Sequence, residues 1–398
     1  MSMALDFQKI YAKIRDIGQG AQAREETLKR QRERARELLE THAADLDLLR
    51  EKVERTARDH DPNLRCAIPR TENLRTHAPV PAPPGDATII AIDGSQIVPD
   101  RHEALTYGLI NIGAVALRTG SGQAPQVFTE SELLFDEDLR TPDGGLLDEG
   151  GIALRRDGRE RARMLELARQ LPGPLVALTD GPVELWGAKD PATARSYQEF
   201  LRKYLDDLDK LNSLGVTLGG YVDKPAADLV VRLLEVAIAS DEDLKNLRKF
   251  HPLLDVTDRW LFGRLLKGGE RSAVFALQSG SRARYSGARA IHFAYLNVGR
   301  RGHPAVARVE FPQWVAEDKE KLDLLHAILV QQSSLLGTQP YPYILQRAHE
   351  TARVSFDEKG QVELLLSLEL RKQGVEIEAK SGKQSIKEQA EIKGRYGR

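Results

Sequence analysis

One cysteine, Cys66, stands in 398 residues, which excludes an internal disulfide and any cysteine-rich zinc module. No apolar run approaches the ~18 residues that a membrane helix needs. The opening residues, Met1 to Lys9, lack the basic segment and apolar stretch of a secretory signal. The expected location is therefore the cytoplasm, with no membrane partner. An excess of one charge is also missing: 58 Lys and Arg against 59 Asp and Glu leave a formal net charge of -1. A nucleic-acid partner thus has to be read from local basic patches rather than from bulk charge. GxGxxG, Walker A and HExxH motifs are absent. Ser95 follows Asp-Gly and lacks the Gly-x-Ser-x-Gly elbow of a serine hydrolase. A sugar-kinase-like phosphotransferase would need nucleotide-binding loops that the chain does not contain.

What the chain does contain is two hydrophobic runs that each end in Asp-Gly. They are Thr88-Ile-Ile-Ala-Ile-Asp93-Gly94-Ser95-Gln96 and Pro174-Leu-Val-Ala-Leu-Thr-Asp180-Gly181-Pro182. Short aliphatic runs bounded by turn residues suit strands covered on both faces, as in α/β proteins. In an open α/β sheet, ligands sit beyond the carboxyl ends of such strands. If the two strands are neighbours, Asp93 and Asp180 lie side by side there. Paired carboxylates repel unless a cation separates them, and hard oxygen ligands favour Mg²⁺ or Mn²⁺ over zinc. Each Asp-Gly alone is an ordinary turn signal; it is their equivalent placement that points to a metal site.

The rest of the chain is organised around these runs. Residues 1–65 are charged and helix-prone, with Phe7, Ile10, Ile14 and Ile17 at helical spacing, and predict a helical arm. Residues 66–86 carry Pro69, Pro79, Pro81, Pro83 and Pro84 and predict a stiff extended linker. The core is expected over 87–387, followed by a polar tail, 388–398. Within the core, Tyr107–Leu117 and Gln126–Glu130 read as further strands. A helix over about Gly151–Leu171 then leads into the second Asp-Gly run. That order, strands and then a helix before Asp180, is the order of a ribonuclease H-like fold: a mixed sheet flanked by helices.

The Gly151–Leu171 helix carries Arg155, Arg156, Arg159, Glu160, Arg161, Arg163 and Glu166. Most of these charges suit a solvated face, but one carboxylate turned inward could join the aspartates, and Glu160 and Glu166 are the candidates. Gly215–Pro225 reads as another buried strand, ending in Lys224, which could neutralise a phosphate or be an ordinary turn lysine. Leu254–Ser272 reads as a polar-aromatic connection. Paired strands follow over Ala290–Val298 and Val306–Phe311. The turn between them, Arg300-Arg301-Gly302-His303, together with Arg282, Arg284 and Arg289, could track phosphates. Glu317–Leu336 is an amphipathic helix, and His349 falls within a helix opened by Pro342.

Together these pieces resemble the NurA family of DNA end-processing nucleases, especially its bacterial members. The resemblance rests on Ile92-Asp93-Gly94-Ser95, the helix with Arg156 to Glu160, Leu178-Thr-Asp180-Gly181, Gly220-Tyr221-Val-Asp-Lys-Pro225, Asp258-Arg-Trp-Leu-Phe262 with Gly-Glu-Arg271-Ser272, and Tyr341-Pro-Tyr-Ile-Leu-Gln-Arg-Ala-His349. It implies a metal-dependent deoxyribonuclease using Mn²⁺ or Mg²⁺, two ions per site. Such an enzyme cuts single strands internally and degrades DNA ends 5′ to 3′. It also implies a homodimer that works with a hexameric HerA-type ATPase in end resection and recombinational repair. Carried over by motif, Asp93, Glu160, Asp180 and His349 would hold metal, with Glu166 as the alternative glutamate. Tyr221 stands where the resemblance places a tyrosine, and Lys224 would offset phosphate charge. A reading from another class is a non-catalytic DNA-end or ATPase-binding scaffold that has kept the fold.

Overall fold

The computed structural model describes residues 5–82, 85–100, 103–141, 144–185, 194–300, 302–337 and 339–375. The chain forms two compact units, Met1–Pro83 with Gly220–Pro340, and Pro84–Gly219 with Tyr341–Arg398. In chain order the first unit begins with α1 (Phe7–Gln19), α2 (Ala21–Thr41), α3 (Leu46–Asp59), β1 (Cys66–Pro69) and β2 (His77–Ala78). The second contains β3 (Thr88–Ile97), β4 (Tyr107–Arg118), β5 (Gln126–Phe135), α4 (Glu149–Gln170), β6 (Leu175–Asp180) and α5 (Ala194–Ser213). The chain returns to the first unit through β7 (Thr217–Val222), α6 (Leu229–Ile238), α7 (Asp241–Lys245), α8 (Asp258–Leu265) and β8 (Arg271–Ser272). That unit then ends with β9 (Phe275–Gln278), β10 (Ile291–Asn297), β11 (Val306–Pro312), α9 (Gln313–Ala316) and α10 (Lys319–Ser334). Helices α11 (Tyr343–Ala352) and α12 (Phe356–Lys372) belong to the second.

In the second unit β3 is the central strand. It runs parallel to β6 and antiparallel to β4, which pairs antiparallel with β5. This mixed sheet, flanked by α4 and α11, is the ribonuclease H-like arrangement expected from the order of elements. Ile89, Ile90, Ala91 and Ile92 on β3 and Val176, Ala177 and Leu178 on β6 are all fully buried. Both faces of these strands are covered, which is why they read as continuous apolar runs rather than alternating ones.

In the first unit β1, β9, β10, β11 and β7 pair antiparallel in succession, with β8 on β10 and β2 on β8. Its core is aromatic: Phe262 stacks on Tyr295 with centroids 4.6 Å apart, and Phe275 on Phe293 at 5.5 Å. Asp258 is buried beneath α6, where its carboxylate accepts from the backbone N–H of Val230 and Val231, each at 2.8 Å, and from the Tyr295 hydroxyl. Two otherwise unpaired donors at a helix start are thereby satisfied.

Two segments differ from the sequence expectation. Residues 66–69 of the proline-bearing stretch form β1, a buried strand on β9, and Glu72 receives two hydrogen bonds from Arg271 at 3.0 and 2.9 Å. The connection through 258–265 is the helix α8, capped by the Thr257 side chain; its eight residues with Gly263 inside are too short for a helical period to emerge. Beyond them, α12 is opened by a Ser355–Glu358 capping box. Residues 388–398 lie outside the described residues.

Candidate active site

The β3–β6 register places the aspartates. The last parallel pair is Ile92 with Thr179, so Asp93 and Asp180 are the next residues on strands spaced ~4.8 Å apart. The two Asp-Gly steps have different physical reasons. Gly181 takes φ +92°, a turn conformation that glycine adopts without strain. Gly94 is no turn: β3 runs on to Ile97 against β4. A Cβ on Gly94 would stand 2.6 Å from Glu160 Oε1 and 2.7 Å from Arg156 Cγ. The glycine lets α4 approach the strand and sets the Glu160 carboxylate against its backbone.

Asp93 and Ser95 share the opposite face, because side chains alternate along a strand. Asp93 Oδ2 lies 2.7 Å from Nδ1 of His349, and Ser95 Oγ donates to the carbonyl of Ala352 at 2.5 Å. Asn111 on β4 donates to the same carbonyl at 2.8 Å and accepts at 2.7 Å from Ser131 on β5. Gly113, the cross-strand partner of Asp93, has no room for a side chain, since a Cβ would meet the backbone nitrogen of Ala352 at 2.4 Å. Helix α11 thus rests directly on β4 and is pinned at its end by Ser95 and Asn111, which fixes His349 over Asp93. An ionised carboxylate only accepts, so His349 donates through Nδ1 and leaves Nε2 as the free lone pair. The His349 side chain is 63% exposed against 19% for Asp93.

Helix α4 carries more than a solvated face. Arg155 and Arg159 both bind Glu132 on β5, and Arg163 lies over the Phe128 ring, 5.4 Å from its centroid. Arg161 is buried and donates at 3.0 Å to the Tyr204 hydroxyl, which in turn donates to the Val183 carbonyl just beyond Asp180. Arg156 donates to Asp157 at 2.9 Å and its Nε lies 3.3 Å from Glu160 Oε1. Burial, with the charges of Asp157 and Asp93 added, pushes the Glu160 carboxyl up to about 8 against the opposing pull of Arg156. Asp157 is likewise raised, by burial first and more weakly by Asp93. Glu166 instead turns to Arg163 at 2.9 Å and is half exposed.

The second unit therefore carries Asp93, Asp180, Glu160 and His349, with His349 hydrogen-bonded to Asp93, Asp180 next in register on β6, and Glu160 against Gly94 on the α4 side of β3. It adds Asp157, which the sequence reading did not single out although it lies three residues from Glu160 and so shares its helix face. Tyr221 and Lys224 lie in the first unit: Tyr221 is fully buried in β7 opposite Val309. Lys224 is exposed, at φ +43°, and lies 3.7 Å from Asp223. Arg300 and Arg282 line separate pockets of the first unit, and Arg301 lies outside the described residues.

Among the described residues, no three His, Cys, Asp or Glu side chains stand together as a ready ligand set for a metal ion. The donor chemistry nonetheless fits a hard divalent cation. Glu160, Asp157 and Asp93 are half-buried carboxyls that Arg156 alone does not offset, and all the donors besides His349 are carboxylate oxygens. Among the described residues, no helix is long and apolar enough to cross a membrane.

No curated protein sequence matches the chain at a significant level. Among solved structures it is similar to the NurA nuclease from Sulfolobus solfataricus, with 14% identity and a TM-score of 0.47, over 92% of this chain and 98% of that one. It is also similar to the catalytic domain of human Endonuclease V, with 18% identity and a TM-score of 0.31, over 81% of this chain and 98% of that one. The sequence signature of the NurA domain matches residues 87–354, well over half of the chain. The chain belongs to the NurA family.

Proposed function

We propose that this protein is a divalent-metal-dependent DNA nuclease that cuts single strands internally and degrades DNA ends 5′ to 3′. It would act as a homodimer with a HerA-type ATPase in end resection. Family membership supports DNA nuclease chemistry, and one observation carries the assignment of residues. The β3–β6 register puts Asp93 beside Asp180 at the strand ends, with His349 hydrogen-bonded to Asp93.

Asp93, Asp180 and Glu160 would hold Mn²⁺ or Mg²⁺, with His349 as the remaining ligand. The bound ions, two per site, would supply Lewis-acid activation of water and stabilisation of the leaving 3′-oxygen. The chain's own contributions follow from its contacts. Asp93 orients the His349 ring through Nδ1, so that Nε2 is the nitrogen that would either bind a metal ion or hold and release a proton. Arg156 keeps the buried carboxylates from repelling one another in the metal-free protein, and Arg161 with Tyr204 ties down the turn that follows Asp180. Lys224 is assigned to phosphate charge and Tyr221 to a supporting role.

A scaffold without catalysis is the second reading. The Arg156–Glu160 ion pair favours it, because it occupies a carboxylate that a metal ion would need. The deciding experiment is cleavage of end-labelled single-stranded DNA with Mn²⁺, Mg²⁺ or EDTA, beside Asp93→Ala and Asp180→Ala. Metal-dependent cleavage lost in both variants is the expected result. No cleavage by the wild type, even with a HerA ATPase present, would select the scaffold.

A further inference from the structure

The first unit contains a cleft of about 1160 Å³ built entirely from its own residues. Arg32, Lys224, Arg259, Arg264, Lys267 and Arg300 line it, and the sole lining carboxylate is Asp223, which faces Lys224 at 3.7 Å. Arg259, Arg264 and Lys267 are exposed and have no acidic partner among the described residues. Arg32 also lies 3.7 Å from Glu25; in a chain whose formal net charge is -1, the other five cations against one lining carboxylate are a local concentration that repels itself unless a polyanion is present. Four of the six are arginines, whose planar forks match phosphate oxygens.

The cleft also has a flat apolar surface. Trp260 is partly exposed in its wall, with the Arg32 guanidinium 5.3 Å from the ring centroid. An indole beside cations is the combination that holds unpaired bases by stacking while their backbone is neutralised. An acidic peptide would use the cations and leave the indole without a matching plane. The volume exceeds the ~300–1,000 Å³ of a site for one small molecule, which suits a segment of polymer.

We propose that this cleft is a second binding site for single-stranded DNA, gripping phosphates through Arg259, Arg264 and Lys267 and stacking a base on Trp260. The choice of polymer rests on the nuclease reading above; the charge and shape of the cleft do not.

The test is fluorescence anisotropy of labelled dT20 with the full chain in EDTA, from 50 to 200 mM salt. The Arg259→Ala/Arg264→Ala/Lys267→Ala variant should lose affinity at least tenfold and reduce the slope of log K against log salt by about 2, since each single-strand phosphate contact contributes roughly 0.7. Trp260→Ala should weaken binding about tenfold with the salt slope unchanged, as loss of one stacked base predicts. Lys245→Ala/Lys249→Ala/Lys319→Ala, which removes equal charge outside the cleft, should stay within twofold of the wild type. Equal binding by the cleft and control variants overturns the proposal. So does displacement of dT20 by poly-glutamate of matched charge as readily as by unlabelled dT20, which would assign the cleft to an acidic protein segment.

Cleavage of thymidine 5′-p-nitrophenyl phosphate with Mn²⁺ separates this site from the nuclease reading. The cleft variant should retain the wild-type rate on that small diester while its KM for a long strand rises. If the wild type binds through the cleft yet cleaves nothing, the nuclease reading fails and the cleft stands. If it cleaves and the cleft variant still binds normally, the cleft alone fails.

Discussion

His349 Nδ1 lies 2.7 Å from Asp93 Oδ2, across 256 residues of chain. The contact orients the ring and fixes its tautomer, so neutralising the aspartate should cost more than its own charge. Asp93→Asn is expected to lower metal-dependent cleavage by about 10²–10⁴-fold, the scale of a lost and misoriented proton-transfer group. His349→Ala should fall in the same range, and the double variant should be little worse than either single one, because the two act as a unit. Multiplicative losses in cleavage rates would mean that they act separately.

Gly113 offers a test that leaves every candidate site side chain intact. A Cβ there would stand 2.4 Å from the Ala352 backbone nitrogen and 2.8 Å from the Ala348 carbonyl oxygen, and backbone cannot step aside as a flexible side chain can. Gly113→Ala should push α11 off the sheet, destabilise the protein by about 1–3 kcal/mol and reduce cleavage by displacing His349. Unchanged urea stability together with unchanged kcat would show that the helix does not need this close approach.

Much of this was legible in the sequence because buried strands announce themselves. The runs before Asp93 and Asp180 are apolar since both faces of β3 and β6 are covered, and their shared Asp-Gly ending marks the same register position. What stayed hidden depends on tertiary partners. Nothing local says that Gly94 makes room for Glu160 while Gly181 makes a turn, or that Ser95 ties down α11. Arg161 reads as one more surface charge until Tyr204 is placed beside it. The choice between Glu160 and Glu166 turned on helix facing, which the flanking leucines obscured and the contacts with Gly94 and Arg163 separate. Asp157 shares a helix face with Glu160 by its three-residue spacing, but nothing local says that this face turns toward the sheet. For α12, the Ser355–Glu358 capping signal is local, but the exposed Leu364, Leu365 and Leu368 give no clear buried face to extend it.

His292 predicts an acid limit to stability. It is buried in β10, accepts at Nε2 from Arg70 at 2.8 Å and donates from Nδ1 to the Ala290 carbonyl at 3.0 Å. Burial, with the Arg70 charge adding to it, pushes its pKa down to about 4. The unfolded chain binds the proton near 6.5, so the stabilising contribution is fully present above that pH and is lost as pH falls toward 4. The loss amounts to about 3 kcal/mol. Urea midpoints measured from pH 7.5 to 4.5 should fall more steeply for the wild type than for His292→Asn; parallel curves would remove His292 from the account.

Glu160 predicts the opposite slope at the other end. Its carboxyl is raised to about 8, so between about 4.5 and 8 the metal-free folded protein keeps a proton that the unfolded chain has released. That contribution is fully present below about 4.5 and disappears as pH rises through 8. Metal-free wild type should therefore lose melting temperature between pH 6 and 9 relative to Glu160→Gln, which carries a neutral group throughout. A divalent cation selects the ionised carboxylate, so Mn²⁺ at pH 8 should raise the wild-type Tm while leaving Glu160→Gln nearly unmoved. Equal Mn²⁺ shifts in both proteins would take Glu160 out of the ligand set and leave it as the buried ion-pair partner of Arg156.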